Sequence, residues 1–342
     1  MKVLIDGRVL KHKYITGVER YTKELINAFD KIGFPYEVAL PESGNRFFRH
    51  LWFHFFLPFK SKKYDILFCP GNISPLFKFP GYKVVSTIHG LACLAFPHTY
   101  NRFFVLYYKY VIPKTLKNSD AIIVVSQSEK EQIFRNYPWY KNRIYVIPNG
   151  INDFFLSQKI IYEKENYILY VGSLNPVKNV EGIIKAFLMI KDNIPHSLVI
   201  AGPKLRIFKK IKTKCHERIK FVDNLAENEL INLYKKAAVF VFPSFYEASP
   251  FPPFEAMACG CPVVASAIPS LIERCGDAAV YCNPYDIRDI SEKILMILKN
   301  KKLCDELINK GINRVKNFSW IKIAKETIKV FEDVYYENSI GS

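Results

Sequence analysis

The chain lacks every short motif that by itself holds a metal or a dinucleotide. It has no Asp-x-Asp, no Cys-x-x-Cys, no Gly-x-Gly-x-x-Gly and no Gly-x-x-x-x-Gly-Lys-Ser/Thr. Without paired aspartates, a divalent cation on a nucleotide diphosphate is not expected, and no residue is assigned as a metal ligand. Without the glycine patterns there is neither a dinucleotide fingerprint nor a P-loop. The eight cysteines (Cys69, Cys93, Cys215, Cys259, Cys261, Cys275, Cys282 and Cys304) are scattered, mostly through apolar stretches. That spacing fits reduced thiols rather than a zinc site or a disulfide framework. No apolar run approaches the roughly 20 residues that span a bilayer. The opening "MKVLID" reads as a strand rather than a leader, so a cytoplasmic protein is expected. Acid is the scarce charge: 32 Asp and Glu stand against 49 Lys and Arg, a formal net charge of +17. An excess of that size points to an anionic partner, whether nucleic acid, a membrane surface or a phosphorylated substrate. The basic residues are dispersed and no nucleic-acid module is recognisable, which ranks nucleic acid last.

What is present is alternation. Short apolar, β-rich runs stand at 2–6, 65–69, 83–88, 121–126 and 144–147. A second series follows at 167–171, 197–201, 219–222, 238–242, 262–266 and 278–281. Between many of them lie amphipathic segments such as 17–32, where Val18, Tyr21, Leu25, Ile26, Phe29 and Ile32 recur at helical spacing before Gly33. Strands that are apolar throughout, alternating with helices, imply parallel sheets covered on both faces. The rhythm pauses at about 150–166 and restarts. Two doubly wound α/β domains are therefore expected, 1–155 and 163–319, with a last helix at about 320–342 packing back on the first. Parallel sheets take ligands at the carboxyl ends of their strands, so two of them facing each other would leave a cleft.

Several residues could carry chemistry there. Within "FYEASPFPPFEAMACGCPVVAS" (245–266), Glu247 follows an apolar run and Glu255 lies near the first turn of a short helix. That helix opens on Pro252–Pro253, tolerated where an N–H would be unpaired anyway, and ends at Gly260. A first-turn glutamate can simply complement the helix dipole, or it can accept from vicinal ribose hydroxyls. "YVGSLNPVKN" (170–179) places Lys178 between a strand and a helix, a plausible phosphate site or a solvated turn lysine. His89 follows an apolar strand and is either a cleft group or a structural histidine. Gly17 opens the first amphipathic helix, as a point of close backbone approach or as a cap. "VIPNG" (146–150) is a turn signal with no chemistry of its own.

In chain order, "TGVERYT", "TIHG", "VIPNG", "YVGSLNPVKN" and "EASPFPPFEAMACGCPVVAS" resemble the landmarks of the retaining glycosyltransferases of family 4, which include many bacterial mannosyltransferases. The resemblance spans essentially the whole chain. It implies a GT-B fold, an acceptor-side N-terminal domain and a C-terminal domain that binds a nucleotide-sugar. It implies that Glu247 contacts the donor hexose, Glu255 the ribose and Lys178 the diphosphate. Gly17 would approach the diphosphate through its backbone and His89 would lie beside the hexose. Ser173, Ser249, Pro250 and Phe251 fall at donor-lining positions. Four positions depart from the common pattern. Ser173 stands where many members have arginine, Pro250 has no N–H to donate, Gly90 follows His89 in place of aspartate, and Glu19 replaces a frequent glycine.

The implied reaction transfers a hexose, with retention, from a nucleoside-diphosphate sugar to a glycan or lipid-linked saccharide in bacterial surface polysaccharide synthesis. GDP-mannose is the favoured donor, and no cofactor is expected. The rivals are a sugar-nucleotide epimerase or glucan synthase of the same fold, and a basic nucleic-acid-binding protein. One further segment stands out, "RFFRHLWFHFFLPFKSKK" (46–63). A helical wheel puts Arg46, Arg49, His50 and His54 on one face and aromatic residues on the rest. Periodicity alone reads it as an amphipathic helix packed on the first sheet. The length of the aromatic run and the following Lys60, Lys62 and Lys63 favour a headgroup-layer helix instead, so a peripheral protein on an anionic inner membrane is expected.

Overall fold

The computed structural model describes residues 1–11, 17–41, 46–202 and 216–336. Cys215, Thr16 of the "TGVERYT" motif and the end of the chain beyond Tyr336 lie outside them. The chain forms two compact units. One comprises Met1–Ala95, Arg102–Gly150 and the chain from Trp320 onward, and the other comprises Phe96–Asn101 and Ile151–Ser319.

The first unit holds a six-stranded sheet of β1 (Val3–Asp6), β2 (Glu37–Ala39), β3 (Ile66–Cys69), β4 (Lys83–Ile88), β5 (Ala121–Val124) and β6 (Arg143–Val146), in the order β2-β1-β3-β4-β5-β6. Every pairing is parallel. Strands β1, β3 and β5 are buried along their whole length, as sheets covered on both faces require. The edge strand β2 is the one the apolar pattern misses. It is three residues long and buries only Ala39, too little to leave a period-2 signature. The Gly17–Lys31 helix ends as its pattern predicts, with Gly33 at φ +68°. The closing helix, Trp320–Tyr336, packs on it, with Phe331 5.1 Å from Phe68 and 6.3 Å from Phe29.

The second unit holds β7 (Glu165–Val171), β8 (Ser197–Ala201), β9 (Ile219–Val222), β10 (Ala237–Phe242), β11 (Val263–Ser266) and β12 (Ala279–Cys282), all parallel, in the order β12-β11-β10-β7-β8-β9. The chain runs outward from β7 to β9 and then returns to β10 on the other side of β7. The strand order therefore reverses between β7 and β10, the place where open α/β sheets bind ligands. The change of unit falls at Gly150–Ile151 rather than at 155, because Ile151 and Phe155 bury themselves in the core of the second sheet.

Two findings revise local readings. "VIPNG" does more than turn: a Cβ on Gly150 would lie 2.7 Å from the Trp320 indole, so only glycine lets the two pack. Segment 46–63 is not one regular α-helix. It is helical over Arg46–Leu51, a π-helix over Trp52–Phe56 and α-helical again over Leu57–Ser61. His54, expected on a solvent-facing polar side, is buried, and it still stacks on His50 at 6.3 Å, so the face that carries both histidines is the one that packs inward. Nε2 of His54 lies 3.1 Å from the Tyr107 hydroxyl, and the neighbouring Phe53 ring lies under the buried guanidinium of Arg8 at 3.7 Å. Phe47, Phe48, Phe55, Phe56 and Phe59 face outward.

Candidate active site

Loops at the carboxyl ends of β7 and β10 build the core of the site. After β7, Gly172 and Gly202 stand so close that a Cβ on Gly202 would meet the Gly172 carbonyl oxygen at 2.0 Å, and both have positive φ. Only glycine permits this approach of two backbones. Ser173 follows, and its carbonyl accepts the Tyr170 hydroxyl at 3.0 Å. Asn175 then caps a 3-10 turn, Pro176–Lys178, by accepting from the Val177 N–H. Asn179, held left-handed at φ +56°, donates through Nδ2 to the carbonyls of Pro243 and Pro284. The Phe245 N–H donates to the Val177 carbonyl at 2.8 Å. These bonds lock the loop after β7 against the loops after β10 and β12.

The lock brings Lys178 onto Glu247. The ammonium bonds both carboxylate oxygens, at 2.6 and 2.7 Å, while the lysine also lies 5.8 Å from the Phe242 ring centroid. Glu247 is 8% exposed. The adjacent Tyr170 hydroxyl is pushed well above its ordinary pKa by burial and then by the Glu247 charge, so it stays protonated.

Downstream, Phe251 caps the Pro252–Ala258 helix, and its carbonyl accepts from the N–H groups of Phe254 and Glu255. Pro252 and Pro253 occupy its first turn and Gly260, at φ +68°, ends it, as the sequence pattern expects. Ser249, Pro250 and Phe251 are buried between the two glutamates. Glu255, 2% exposed, accepts from the Tyr234 hydroxyl at 2.9 Å. Beside it Arg274 lies 3.5 Å over the Phe254 ring. Desolvation pushes that guanidinium down to about 9, against smaller raising contributions that include Glu255, and it remains a cation at neutral pH.

His89 and Gly17 belong to the other unit. His89 directly follows β4, and its N–H donates to the Asn72 side chain at 2.6 Å. Its Nε2 lies 2.7 Å from the Pro70 carbonyl. Because a carbonyl only accepts, Nε2 carries the proton and Nδ1 is left as an acceptor. Desolvation lowers the ring to about 4, against raising effects of the Pro70 bond and Glu19, so it is neutral at pH 7. The Tyr21 ring packs edge-on at 4.5 Å. Gly17 is exposed at the start of its helix.

The sequence patterns named neither Tyr234 nor Asn72. Tyr234 recurs at core spacing in an ordinary amphipathic helix, and Asn72 sits in a loop with no motif. The thiols of the described cysteines are free, and all but Cys304 are buried.

Two parallel six-stranded sheets, with a cation–carboxylate pair where the second one reverses its order, are the two-domain α/β architecture of the GT-B type. Residues 15–153 match the profile of Glycosyltransferase Family 4 and residues 152–314 that of Glycosyl transferases group 1. The O-antigen chain mannosyltransferase B of Escherichia coli is 27% identical over 267 residues, 73% of this chain and 70% of its own. An uncharacterized glycosyltransferase of Methanocaldococcus jannaschii is 31% identical over 259 residues, 73% of this chain and 68% of its own. The solved sucrose-phosphate synthase from Thermosynechococcus elongatus shares the fold, with a TM-score of 0.75 over 98% of this chain and 99% of its own at 18% identity. The chain belongs to the family 4 glycosyltransferases and is a glycosyltransferase.

Proposed function

We propose that this enzyme transfers a hexose, mannose in preference, from a nucleoside-diphosphate sugar to a glycan or lipid-linked saccharide in bacterial surface polysaccharide synthesis, with retention. The observation that carries the reading is the placement of Lys178, Glu247 and Glu255 around the point where the second sheet reverses. One cation and two carboxylates there match the diphosphate, the hexose and the ribose of one donor. The mannosyl preference draws support from the named activity of the Escherichia coli relative. GDP-mannose is accordingly our donor of choice.

In this reading Lys178 neutralises charge that develops on the departing diphosphate, a preorganised electrostatic contribution of the kind usually largest in catalysis. Glu247 takes hydroxyls of the hexose. Both oxygens of Glu247 are engaged by Lys178, which makes it a poor nucleophile. That supports attack from the leaving-group side, with a donor phosphate oxygen taking the acceptor proton, rather than a covalent glycosyl-enzyme. Ser173, Ser249, Pro250 and Phe251, all in the second unit, are the further donor-lining residues of this reading.

We also assign the enzyme to an anionic membrane surface at the cytoplasmic face. No helix of the described residues is long and apolar enough to cross a membrane. The outward phenylalanines of 47–59 with Lys60, Lys62 and Lys63 suit the headgroup layer.

Calorimetry tests the donor assignment. Glu255→Ala is expected to weaken binding of the free nucleoside diphosphate by roughly 1.5–3 kcal/mol, the usual loss for a charged acceptor. A thermal-shift panel identifies the base, since a ligand at 100 times its Kd adds about 2.7 kcal/mol. An unchanged affinity in Glu255→Ala overturns the ribose assignment.

A further inference from the structure

We propose that Tyr234 is a positioning residue of the nucleotide site, holding the Glu255 carboxylate in the orientation that receives the ribose hydroxyls. The inference rests on the reading of Glu255 given above. Tyr234 lies on the Glu227–Lys236 helix, fully buried, edge-on to Phe240 at 5.6 Å and to Phe155 at 6.4 Å. Phenylalanine would fill the same apolar pocket with no polar atom to satisfy. A hydroxyl in such surroundings is destabilising unless it is bonded, and here it donates to Oε2 of Glu255 at 2.9 Å.

Rigidity is what this donor supplies. A tyrosine has two torsions, and both are set here by ring packing, so its oxygen is a fixed point. A glutamate has three torsions, and its carboxylate can turn about the last of them. Two vicinal hydroxyls need both carboxylate oxygens in one plane at one time. A hydroxyl fixed on the helix side sets that plane, and the Arg274 cation on Phe254 adds charge beside it. Tyr234 therefore acts on the nucleotide through Glu255.

The test measures affinities of the whole protein for UDP, GDP and their 2′,3′-dideoxy counterparts by calorimetry. Tyr234→Phe is expected to bind the tighter ribonucleotide about tenfold more weakly, the usual worth of a hydrogen bond to a charged group. Its affinity for the dideoxy counterpart should stay within about twofold of wild type, because that ligand has no hydroxyls to orient. Glu255→Gln should show the same selective loss, and the double variant no further loss beyond it. The ratio of the two affinities is the readout, since general loosening of the fold lowers both together. If Tyr234→Phe leaves the ratio at its wild-type value while Glu255→Gln changes it, the positioning role falls and the ribose assignment stands. If Glu255→Gln also leaves it unchanged, the ribose assignment falls and takes the role of Tyr234 with it.

Discussion

Lys178 and Glu247 hold each other through two bonds of 2.6 and 2.7 Å, made between loops 69 residues apart. The carboxylate side chain is 7% exposed and that of the lysine 24%. In the proposed donor complex, an incoming diphosphate would meet a cation whose charge is already balanced. Glu247→Gln keeps the shape and removes the competitor. A partly exposed pair of this kind is worth about 0.2–1 kcal/mol, so free nucleoside diphosphate should bind about 1.4- to fivefold more tightly. Turnover should fall by about a hundredfold or more, because the hexose loses its charged acceptor. Calorimetry and initial rates check both halves, and weaker nucleotide binding would contradict the pairing argument.

Lys178→Met removes the opposite partner and strands a nearly buried carboxylate. Breaking such a pair from one side leaves an uncompensated charge, here moderated by the exposed edge of the lysine. A stability loss of about 1–3 kcal/mol is expected in denaturant unfolding, most of it recovered in Lys178→Met combined with Glu247→Gln. Losses that simply add would show that the two side chains are not coupled. The catalytic rate of Lys178→Met should drop by about two to three orders of magnitude, the range seen when one preorganised electrostatic group is removed.

Chelation with EDTA is expected to leave activity largely intact, since the chain has no Asp-x-Asp to hold Mg²⁺ or Mn²⁺ on a diphosphate. Rate measurements with and without chelator decide this. Silencing by EDTA with full recovery on Mn²⁺ would falsify it.

His89 sets a pH window for stability. Its ring is lowered from 6.5 to about 4, first by desolvation. On acidification the unfolded chain takes up this proton near pH 6.5, while the native ring resists until about 4. Stability therefore falls through that window and is unaffected by this group above it, with a slope of at most about 1.4 kcal/mol per pH unit for one proton. His54, also lowered to about 4 by burial and then by the Arg8 charge, acts in the same direction. Unfolding curves from pH 7 to 4 should be shallower in their pH dependence for His89→Gln. Identical slopes would place the ring in contact with solvent.

Membrane association is expected through the outward-facing phenylalanines of segment 46–63. Phe47, Phe48, Phe56 and Phe59 are each more than half exposed. Liposome sedimentation should show binding that requires anionic lipid, falls with salt and weakens in Phe48→Ser with Phe56→Ser. Equal recovery on neutral and anionic vesicles, or none on either, would remove the membrane role.

Local chemistry made much of this legible. Eleven strands could be read from apolar runs because strands buried on both faces leave no room for polar residues. The Pro252–Pro253 start and Gly260 end of the short helix follow from backbone constraints that act within a few residues. β2 escaped because a three-residue edge strand buries too little to impose a pattern. The inward turn of His54 escaped because its polar partner, the Tyr107 hydroxyl, lies 53 residues away, and a helical wheel does not show which face meets the protein.

The amino-acid order alone determined the two-sheet architecture, the family and the identity of the charged groups, since each follows from short windows of sequence. Which groups touch was decided by tertiary structure. Lys178 reaches Glu247 because the order of the second sheet reverses between β7 and β10, placing the loops that follow them side by side. Tyr234 reaches Glu255 across 21 residues because the helices that carry them pack on one core. His89 is fixed in one tautomer by a carbonyl 19 residues before it. These pairings depend on strand order and packing between distant segments, and no local window of sequence contains that information.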